Sequence, residues 1–456
     1  MKQWKHLPDS HLLYKGFRSI QNLVHFKMEK HYDQAIKDWH QDIGDYVTAD
    51  LPGLFFLSTQ RSYHVSHPEA SKAILSSQLE CFNHKPKYPY DQARILWGEG
   101  TITAGGDLWK KRRHFIQPAF HHDALKKVVS HIESGTSDFI VRFKDVFNNQ
   151  ATIDVVPLMK EVSSDIMCRA LFGFNHIDDS RRILEPYSFF DANVLYQPPL
   201  WFPSKRNRRI KHLKKLAIHD MNTIINERLS NPGEHYDLLS MLLFTKDKDT
   251  GECMTPKEVL DEMSTLIFAG ADTISSTLPW VFHFLTENKH VKDKLLDEIR
   301  STQLTSFSYD NLTQFPYTKM VIQETLRRHP VVPAAIRGID RDTTIEGYDF
   351  HKGSFVSLYY VFLHHHPDFW EDPFMFNPER FSDENFKKMH RFAWVPFSAG
   401  KRTCAGMNFA YLEMVAILYV LLNEYDFDYD LSAPIETNTA GFVWGPKTLP
   451  LTFKKI

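Results

Sequence analysis

The sequence predicts a mainly α-helical fold: a large helical domain with a long central helix and a small, mostly antiparallel β region. Apolar residues recur at helical spacing through most of residues 105–330, whereas residues 333–363 alternate with a period near two. No repeat, low-complexity tract or linker-like stretch divides the sequence. We therefore expect the 456 residues to form a single domain, 1–456.

The long helix has the clearest start signal in the chain. In Thr255-Pro256-Lys257-Glu258 the threonine is placed to cap the helix, the proline takes its first position and the glutamate completes a capping box. The apolar pattern continues to about Glu287, which predicts roughly 30 residues and a length of about 45 Å. Gly270 and Pro279 lie inside this stretch, so we expect a local distortion there.

Further elements follow in order along the chain. A helix over about 317–328 must stop before Pro330, because the residue preceding a proline avoids the helical conformation. Turn signals at Glu346-Gly347 and Lys352-Gly353 separate the strands of the predicted sheet. A last, strongly apolar helix starts just after Cys404.

The composition excludes several classes of protein. With 43% hydrophobic and 24% charged residues the chain can bury a large core, which rules out a disordered or collagen-like protein. The net charge of −2 argues against nucleic acid as a partner. The region from Met1 to about Lys30 is charged throughout, and no run of about 20 apolar residues occurs. We expect no signal peptide, no membrane span and a cytoplasmic location.

The cysteines are few and scattered: Cys81, Cys168, Cys253 and Cys404. They form no CxxC pair, so they support neither a zinc site nor a disulfide framework, and they fit a reducing compartment. Only Cys404 lies in a stretch that suggests chemistry, FSAGKRTCAG over residues 397–406.

This stretch places a cysteine between glycines, just before a helix. A helix N-terminus directs N–H groups towards the sulfur and favours the thiolate form. Gly400 and Gly406 let a flat ligand approach the backbone closely, and Arg402 can neutralise an acidic group on that ligand. Taken alone, a lone cysteine such as Cys404 is more often a buried residue that packs as a small hydrophobic side chain.

With every fixed position matched, the stretch resembles the haem-binding loop FxxGxRxCxG of the cytochrome P450 family. The resemblance, which covers about residues 50–450, implies the P450 fold and haem b (iron protoporphyrin IX). It makes Cys404 the thiolate ligand of the iron, which favours O–O bond cleavage, and places Phe397, Arg402 and Gly406 at the haem. Arg402 and Pro378–Phe381 point to a soluble, bacterial-type member of the eukaryote-like (E-class) branch.

Two other segments resemble the family's ExxR and PERF motifs. Glu324-Thr325-Leu326-Arg327 alone could be an ion pair on a helix surface, with little effect on stability. Because Pro378–Phe381 follows where the family expects it, the resemblance implies a buried triad of Glu324, Arg327 and Arg380. Its role is structural, since buried paired charges fix geometry more than they add stability.

Ala269-Gly270-Ala271-Asp272-Thr273, within the long helix, resembles the family's AGxDT segment. An interior threonine can turn its hydroxyl onto a carbonyl of its own helix, and a purely structural threonine is the alternative here. The resemblance implies that Asp272 and Thr273 are catalytic and deliver protons during oxygen activation.

Trp109 and Arg113 resemble the family's WxxxR segment, and with Arg337 they would contact a haem propionate. A solvated face is expected for the basic residues between them, Lys110, Lys111 and Arg112. In relatives that face receives an electron carrier. The chain ends at Ile456 without a flavin or nicotinamide domain, so we expect a monomer reduced by a separate ferredoxin or flavodoxin with its reductase.

Other features receive simpler interpretations. We expect His364-His365-His366 at the surface or facing the haem rather than on a metal, and the basic run Lys205–Lys215 on a solvated helix face. The expected lining of the substrate pocket comes from segments that are mostly apolar: Tyr196–Phe202, the 82–103 loop, Phe268–Thr273 and Val331–Ala335.

The function predicted from these residues is that of a haem-thiolate monooxygenase. It would activate dioxygen to hydroxylate or epoxidise a hydrophobic substrate such as a fatty acid, a terpenoid or a steroid-like molecule. A haem-based gas sensor or carrier would explain Cys404 but not Asp272 and Thr273. A zinc-dependent hydrolase built on the histidine-rich segments is the other alternative.

Overall fold

The computed structural model describes residues 2–6, 28–52, 59–191, 202–233, 235–247, 250–432 and 434–456. The chain divides into two compact units, each assembled from separate stretches of sequence. The first unit contains residues 1–87, 320–404 and 433–447, and the second contains residues 88–319, 405–432 and 448–456. That residues 1–456 act as a single domain stays a prediction.

Helices dominate the described residues, as the sequence predicts. In chain order the α-helices are α1 (Tyr32–Asp38), α2 (Pro68–Lys72), α3 (Lys87–Trp97), α4 (Gly106–Ile116), α5 (His122–Asn148), α6 (Val155–Phe172), α7 (Ile177–Asp191), α8 (Lys205–Ser230), α9 (Leu238–Phe244), α10 (Pro256–Glu287), α11 (Lys289–Ser301), α12 (Pro316–Arg328), α13 (Tyr360–Leu363), α14 (Asp383–Lys388) and α15 (Met407–Glu424). The helices expected near 256–287, 317–328 and after Cys404 correspond to α10, α12 and α15.

The strands are short and mostly antiparallel. They are β1 (Lys5–His6), β2 (Tyr46–Pro52), β3 (Thr59–Val65), β4 (Thr152–Asp154), β5 (Ala334–Gly338), β6 (Thr343–Ile345), β7 (Tyr348–Phe350), β8 (Phe355–Tyr359), β9 (Tyr425–Asp428), β10 (Thr437–Asn438), β11 (Gly445–Pro446) and β12 (Pro450–Lys455). The main sheet of the first unit has the order β1-β2-β3-β8-β5, in which β1–β2 and β3–β8 are parallel. Its expected strands, β5 and β8, pair antiparallel, and β6 and β7 form a separate hairpin.

The capping box predicted for α10 is present. The Glu258 amide donates to Thr255 Oγ1 at 3.3 Å, and the Thr255 amide donates to Glu258 Oε2 at 2.8 Å. The helix runs without a break through Gly270 and Pro279. A Cβ atom at position 270 would overlap the sulfur of Met167, so the glycine allows α6 to pack closely against α10.

One helix among the described residues, α15, is long and apolar enough to cross a membrane by length and composition. Within its 18-residue window, 61% of the residues are buried inside the protein. Its buried residues include Leu412, Val415, Leu418 and Leu421, which belong to the core of the second unit.

Of two segments expected to line the substrate pocket, one differs from the prediction and the other falls mostly outside the described residues. The 82–103 stretch is not simply a loop, because it contains α3 and ends in a turn rich in glycine. The expectation for Tyr196–Phe202 falls almost entirely on residues outside the described ranges, since only Phe202 is described. The basic run Lys205–Lys215 begins α8, and most of its charged side chains are exposed, in agreement with a solvated helix face.

Candidate active site

The predicted site residues divide between the two units. The first unit holds Cys404, Phe397, Arg402, Arg337 and the triad Glu324, Arg327 and Arg380. The second unit holds Trp109, Arg113, Asp272, Thr273 and Gly406.

The loop that carries Cys404 is fixed by its own backbone. The Cys404 amide donates to the Phe397 carbonyl at 2.8 Å, and the Thr403 amide donates to the Gly400 carbonyl at 3.2 Å. Ser398 and Gly400 adopt left-handed conformations, with φ of 60° and 65°. A Cβ atom on Gly400 would overlap the Leu75 carbonyl, so only glycine fits there. This closed loop presents an exposed Cys404 side chain at a defined point.

Two arginines of the first unit are buried: Arg402, within the Cys404 loop, and Arg337, on the main sheet. Arg402 Nη2 donates to the Asn83 carbonyl at 2.7 Å and to Asn83 Oδ1 at 2.9 Å. Arg337, on β5, is 5% exposed and donates from Nη1 to the Ile336 carbonyl at 3.1 Å. Among the described residues no carboxylate forms an ion pair with Arg337. A buried guanidinium without an acidic partner is suited to an anionic group such as a haem propionate.

The triad residues meet inside the first unit. Arg327 binds Glu324 through two parallel bonds, Nε to Oε2 at 2.7 Å and Nη2 to Oε1 at 2.8 Å, and both side chains are fully buried. Arg380 Nε lies 3.6 Å from Glu324 Oε1. Arg327 also donates to the carbonyls of Pro373 and Met375 at 2.8 and 3.1 Å. With a further bond from Nη1 to the His364 carbonyl at 3.0 Å, all five N–H groups of this guanidinium have an acceptor.

The histidine run is buried, so the expectation of a surface position is wrong, and a position facing the haem stays a prediction. His364, His365 and His366 are 0%, 1% and 3% exposed. His364 Nε2 accepts the Val395 amide at 2.9 Å, and the His364 carbonyl accepts Arg327 Nη1 at 3.0 Å. Burial lowers the pKa of His364 to about 3, so the ring is neutral. His364 thus connects the triad to the segment leading into the Cys404 loop.

His366 belongs to a cluster that resembles a metal site but is held by hydrogen bonds. Ligand atoms of His40, Asp45 and His366 lie within 4.8 Å of one another. His366 Nδ1 accepts the Asp368 amide at 3.2 Å, so Nε2 carries the proton and donates to Asp45 Oδ2 at 3.0 Å. A metal would need the lone pair of that nitrogen. The arrangement favours a hydrogen-bonded anchor and gives no support to a zinc hydrolase.

In the second unit, Asp272 and Thr273 lie on α10 with a partner that the sequence did not suggest. Thr273 Oγ1 donates to the Ala269 carbonyl of its own helix at 2.8 Å. Asp272, which is 8% exposed, forms an ion pair with Lys160 of α6. The Lys160 side chain is 38% exposed, so it connects a buried carboxylate to the protein surface. Ser163, one turn further along α6, lies 3.3 Å from the Ala271 carbonyl.

The remaining predicted residues of the second unit lie on α4 and at the start of α15. Trp109 is 5% exposed and Arg113 is half-buried; separated by four positions, they share one face of α4. Gly406 caps the N-terminus of α15, and a Cβ atom there would lie 3.6 Å from the Phe120 ring. Such a separation is ordinary van der Waals contact, so this unit does not by itself require a glycine at 406.

The prediction that Arg112 lies on a solvated face is also wrong. The residue is 4% exposed and faces carboxylates of α10, whereas Lys110 and Lys111 are exposed as expected. The hydrophobic spacing of α4 gives no sign of this, because the partners of Arg112 come from a distant part of the sequence.

The profile of the cytochrome P450 family matches residues 15–453. The chain is 29% identical over 395 residues to cytochrome P450 CYP72A219 of Panax ginseng, covering 82% of this chain and 75% of the ginseng protein. It is 27% identical over 425 residues to cytochrome P450 4X1 of Homo sapiens, covering 87% of this chain and 82% of the human protein.

Solved structures share the fold. The crystal structure of the cytochrome P450DA haem domain matches with a TM-score of 0.85 at 20% identity, over 99% of this chain and 98% of that one. The retinoic acid-bound cyanobacterial CYP120A1 matches with a TM-score of 0.83 at 22% identity, over 94% and 96%. These likenesses confirm the predicted P450 fold.

The residues of the first unit also suit the cofactor of this family. An exposed cysteine on a rigid loop suits an iron ligand, and a buried arginine with no ion pair to a described carboxylate suits a propionate contact. Since the family profile spans nearly the whole sequence, the chain belongs to the cytochrome P450 family and is a haem b-dependent monooxygenase.

Proposed function

We propose that Cys404 is the thiolate ligand of haem b and that Asp272 and Thr273 route protons to the oxygen-binding side. The observation that carries the proposal is the Cys404 loop, which is closed by the 2.8 Å bond from the Cys404 amide to the Phe397 carbonyl. Bound haem supplies oxygen activation and insertion into an unactivated C–H or C=C bond. Arg337, Trp109 and Arg113 would hold its propionates, and Phe397, Arg402 and Gly406 would line the loop side.

The proton route starts from a contact within the second unit. Lys160, which reaches the surface, pairs with the buried Asp272 carboxylate, and the Thr273 hydroxyl lies one residue further along α10. The Asp272 carboxylate can exchange protons with solvent when the pair opens. The Thr273 oxygen keeps lone pairs to accept a proton while it donates to Ala269.

A threonine-to-alanine change tests this role. In Thr273→Ala, a larger share of the consumed electrons should end in hydrogen peroxide and a smaller share in oxidised product, because the proton donor is missing. Thr273→Ser, which keeps the hydroxyl, is the matched control and should remain coupled. Unchanged coupling in Thr273→Ala would remove Thr273 from the proposed route.

The substrate we propose is a hydrophobic molecule of the fatty acid, terpenoid or steroid-like kind. Phe268, which stacks on Trp97 at 3.9 Å, lies one turn before Asp272 on α10, so the stretch of α10 beside the proposed catalytic pair carries a large apolar side chain. The cyanobacterial relative was solved with retinoic acid, an apolar carboxylic acid with a terpenoid skeleton. A spectral-shift screen of fatty acids, terpenes and steroids tests the proposal. A response confined to small polar compounds would contradict it.

The electron donor we propose is a separate acidic ferredoxin or flavodoxin with its reductase, which docks on the exposed Lys110 and Lys111. These side chains are 54% and 48% exposed. Lys110→Glu should slow reduction by the carrier and weaken the dependence of the rate on salt. Lys388→Glu, an exposed lysine of α14, serves as the control and should leave the rate unchanged. Equal rates for both variants and the parent would exclude this docking face.

We further propose a single, water-soluble, monomeric haem domain of the bacterial E-class type that works in the cytoplasm. None of the four cysteines, Cys81, Cys168, Cys253 and Cys404, forms a disulfide bond, which fits a reducing compartment. The apolar α15 contributes to the core of the second unit. Cell fractionation with size-exclusion chromatography tests this, and recovery of the full chain only in the membrane fraction would contradict it.

A further inference from the structure

A buried carboxylate of α10 takes no part in the reaction proposed above. Glu262 is 0% exposed. Its Oε2 accepts two hydrogen bonds from Thr101, from the backbone amide at 3.2 Å and from Oγ1 at 2.9 Å. Its Oε1 faces Arg112 Nε at 3.8 Å. Glu262 therefore connects α10 both to the turn before α4 and to α4 itself.

Arg112 lies among acidic side chains on successive turns of α10. Besides Glu262, its guanidinium lies 3.3 Å from Glu258 and 3.8 Å from Asp261. The neighbouring Lys111 also pairs with Glu258, at 2.9 Å. The start of α10 thus holds α4 through charge, and the acidic residues are balanced by basic partners from α4 and, for Asp261, by Lys257 at 3.3 Å.

The turn before α4 also lies directly against α10. A Cβ atom at Gly98 would overlap the Asp261 carboxylate, and one at Gly100 would overlap the Thr265 hydroxyl. Thr103 Oγ1 closes the turn by donating to the Gly98 carbonyl at 2.7 Å. The chain is therefore fixed to α10 both at this turn and in the middle of α4.

We propose that Glu262 and Arg112 form a buried clamp that positions α4 so that Trp109 and Arg113 can hold the haem. The proposal rests on the function proposed above, in which those two residues contact a propionate. Arg112 adjoins Arg113 and lies three positions after Trp109, so a shift of α4 against α10 would move both. Glu262 and Arg112 are positioning residues, because they act through Trp109 and Arg113.

The test is the rate at which the haem-loaded protein loses haem to an excess of apomyoglobin. Glu262→Gln and Arg112→Met should each release haem about tenfold faster than the parent, because each removes the charge attraction between Glu262 and Arg112 that holds α4 against α10. Thr101→Val removes one hydroxyl and keeps the backbone bond, so it should give a smaller increase. Arg112→Lys restores the charge and should recover part of the loss.

The matched control is Asp237→Asn. Asp237 is a buried carboxylate of the same unit that pairs with Arg228 and accepts the Ser240 amide at 2.8 Å, and among the described residues no hydrogen bond or ion pair joins it to α4 or the 98–103 turn. Asp237→Asn should lower the melting temperature. When urea brings the parent to the same free energy of unfolding as this variant, the two proteins should release haem at the same rate. Haem release at the parent rate in Glu262→Gln and Thr101→Val would overturn the clamp, as would equal acceleration in Asp237→Asn.

The carbon monoxide spectrum separates this result from a failure of the proposed function. A parent protein that shows the red-shifted thiolate band, with variants that release haem at the parent rate, overturns only the clamp. A parent protein without that band overturns the proposed haem ligation and the clamp together.

Discussion

Two buried arginine–carboxylate networks, one in each unit, are built differently. In the first unit Arg327 and Glu324 form two bonds of 2.7 and 2.8 Å, and the other guanidinium donors reach backbone carbonyls. In the second unit Arg112 is shared among three carboxylates at 3.3 to 3.8 Å. We call the first network saturated, because every N–H donor of its arginine has an acceptor. The second network is not saturated in this sense.

The two networks differ in how well they tolerate small shifts and a change in protonation in the folded protein. A bidentate pair with every donor used has one geometry, and any loss leaves a charge buried. A guanidinium shared at longer distances tolerates small shifts and a change in protonation. Burial raises the pKa of Glu262 to about 7, against the opposing effects of the Thr101 hydrogen bonds and Arg112. We therefore regard the first network as fixed and the second as adjustable.

The largest expected effect comes from breaking the saturated network. Arg327→Met should lower the free energy of unfolding by about 3–5 kcal/mol, because Glu324 would stay buried without its partner. Arg112→Met should cost less, about 1–3 kcal/mol, since Glu262 can take up a proton while Glu258 and Asp261 keep lysine partners. Urea unfolding measures both. A larger loss for Arg112→Met than for Arg327→Met would reverse the comparison.

The second effect is a pH dependence confined to the adjustable network. Because the Glu262 pKa is about 7 in the folded protein against 4.5 for the ordinary group, the folded state binds this proton more tightly than the unfolded state. Its contribution is fully present below about pH 4.5 and is lost as the pH rises to about 7, by ~3 kcal/mol at most. Glu262→Gln should remove that slope from unfolding curves measured between pH 5 and 8.

Glu258→Gln is the matched control for this experiment. Glu258 faces the same arginine, but its hydrogen bonds to Thr255 and Lys111 lower its pKa to about 2 despite partial burial. Its own contribution is therefore present above about pH 4.5 and lost only as the pH falls towards 2. Between pH 5 and 8 its stability curve should run parallel to that of the parent. A parallel curve for Glu262→Gln would contradict the account.

A smaller effect is expected at the edge of the saturated network. Arg380 lies 3.6 Å from Glu324 and donates from Nη2 to the Asp372 carbonyl at 3.0 Å. Arg380→Lys keeps the charge and loses that directed bond, so it should cost about 1 kcal/mol. Urea unfolding checks this value. A loss as large as that of Arg327→Met would show that the third member is as tightly fixed as the pair.

The smallest effect is expected at the exposed rim of the adjustable network. Lys111 is about half exposed, and its pair with Glu258 is screened by solvent. Lys111→Met should change the free energy of unfolding by about 0.5 kcal/mol or less. Thermal melts at low and high salt measure the effect, and a loss of several kcal/mol would place Lys111 inside the clamp.

The sequence identified the elements whose signals are local. Thr255 and Glu258 lie close together in the chain, so the start of α10 could be predicted, and the Cys404 motif led to the correct family. The burial of Arg112 and His364 was not predicted, because what buries a polar side chain is a partner from elsewhere in the chain. Lys160 was missed for the same reason, since a lysine on a helix gives no sign that it pairs with Asp272.

The most direct test of the account is the carbon monoxide spectrum of the reduced protein. The parent and Cys253→Ser, which changes another exposed cysteine, should both show the red-shifted Soret band of a thiolate-ligated haem. Cys404→Ser should lose that band. A red-shifted band that persists in Cys404→Ser, or its absence from the parent, would contradict the assignment of Cys404 as the haem ligand.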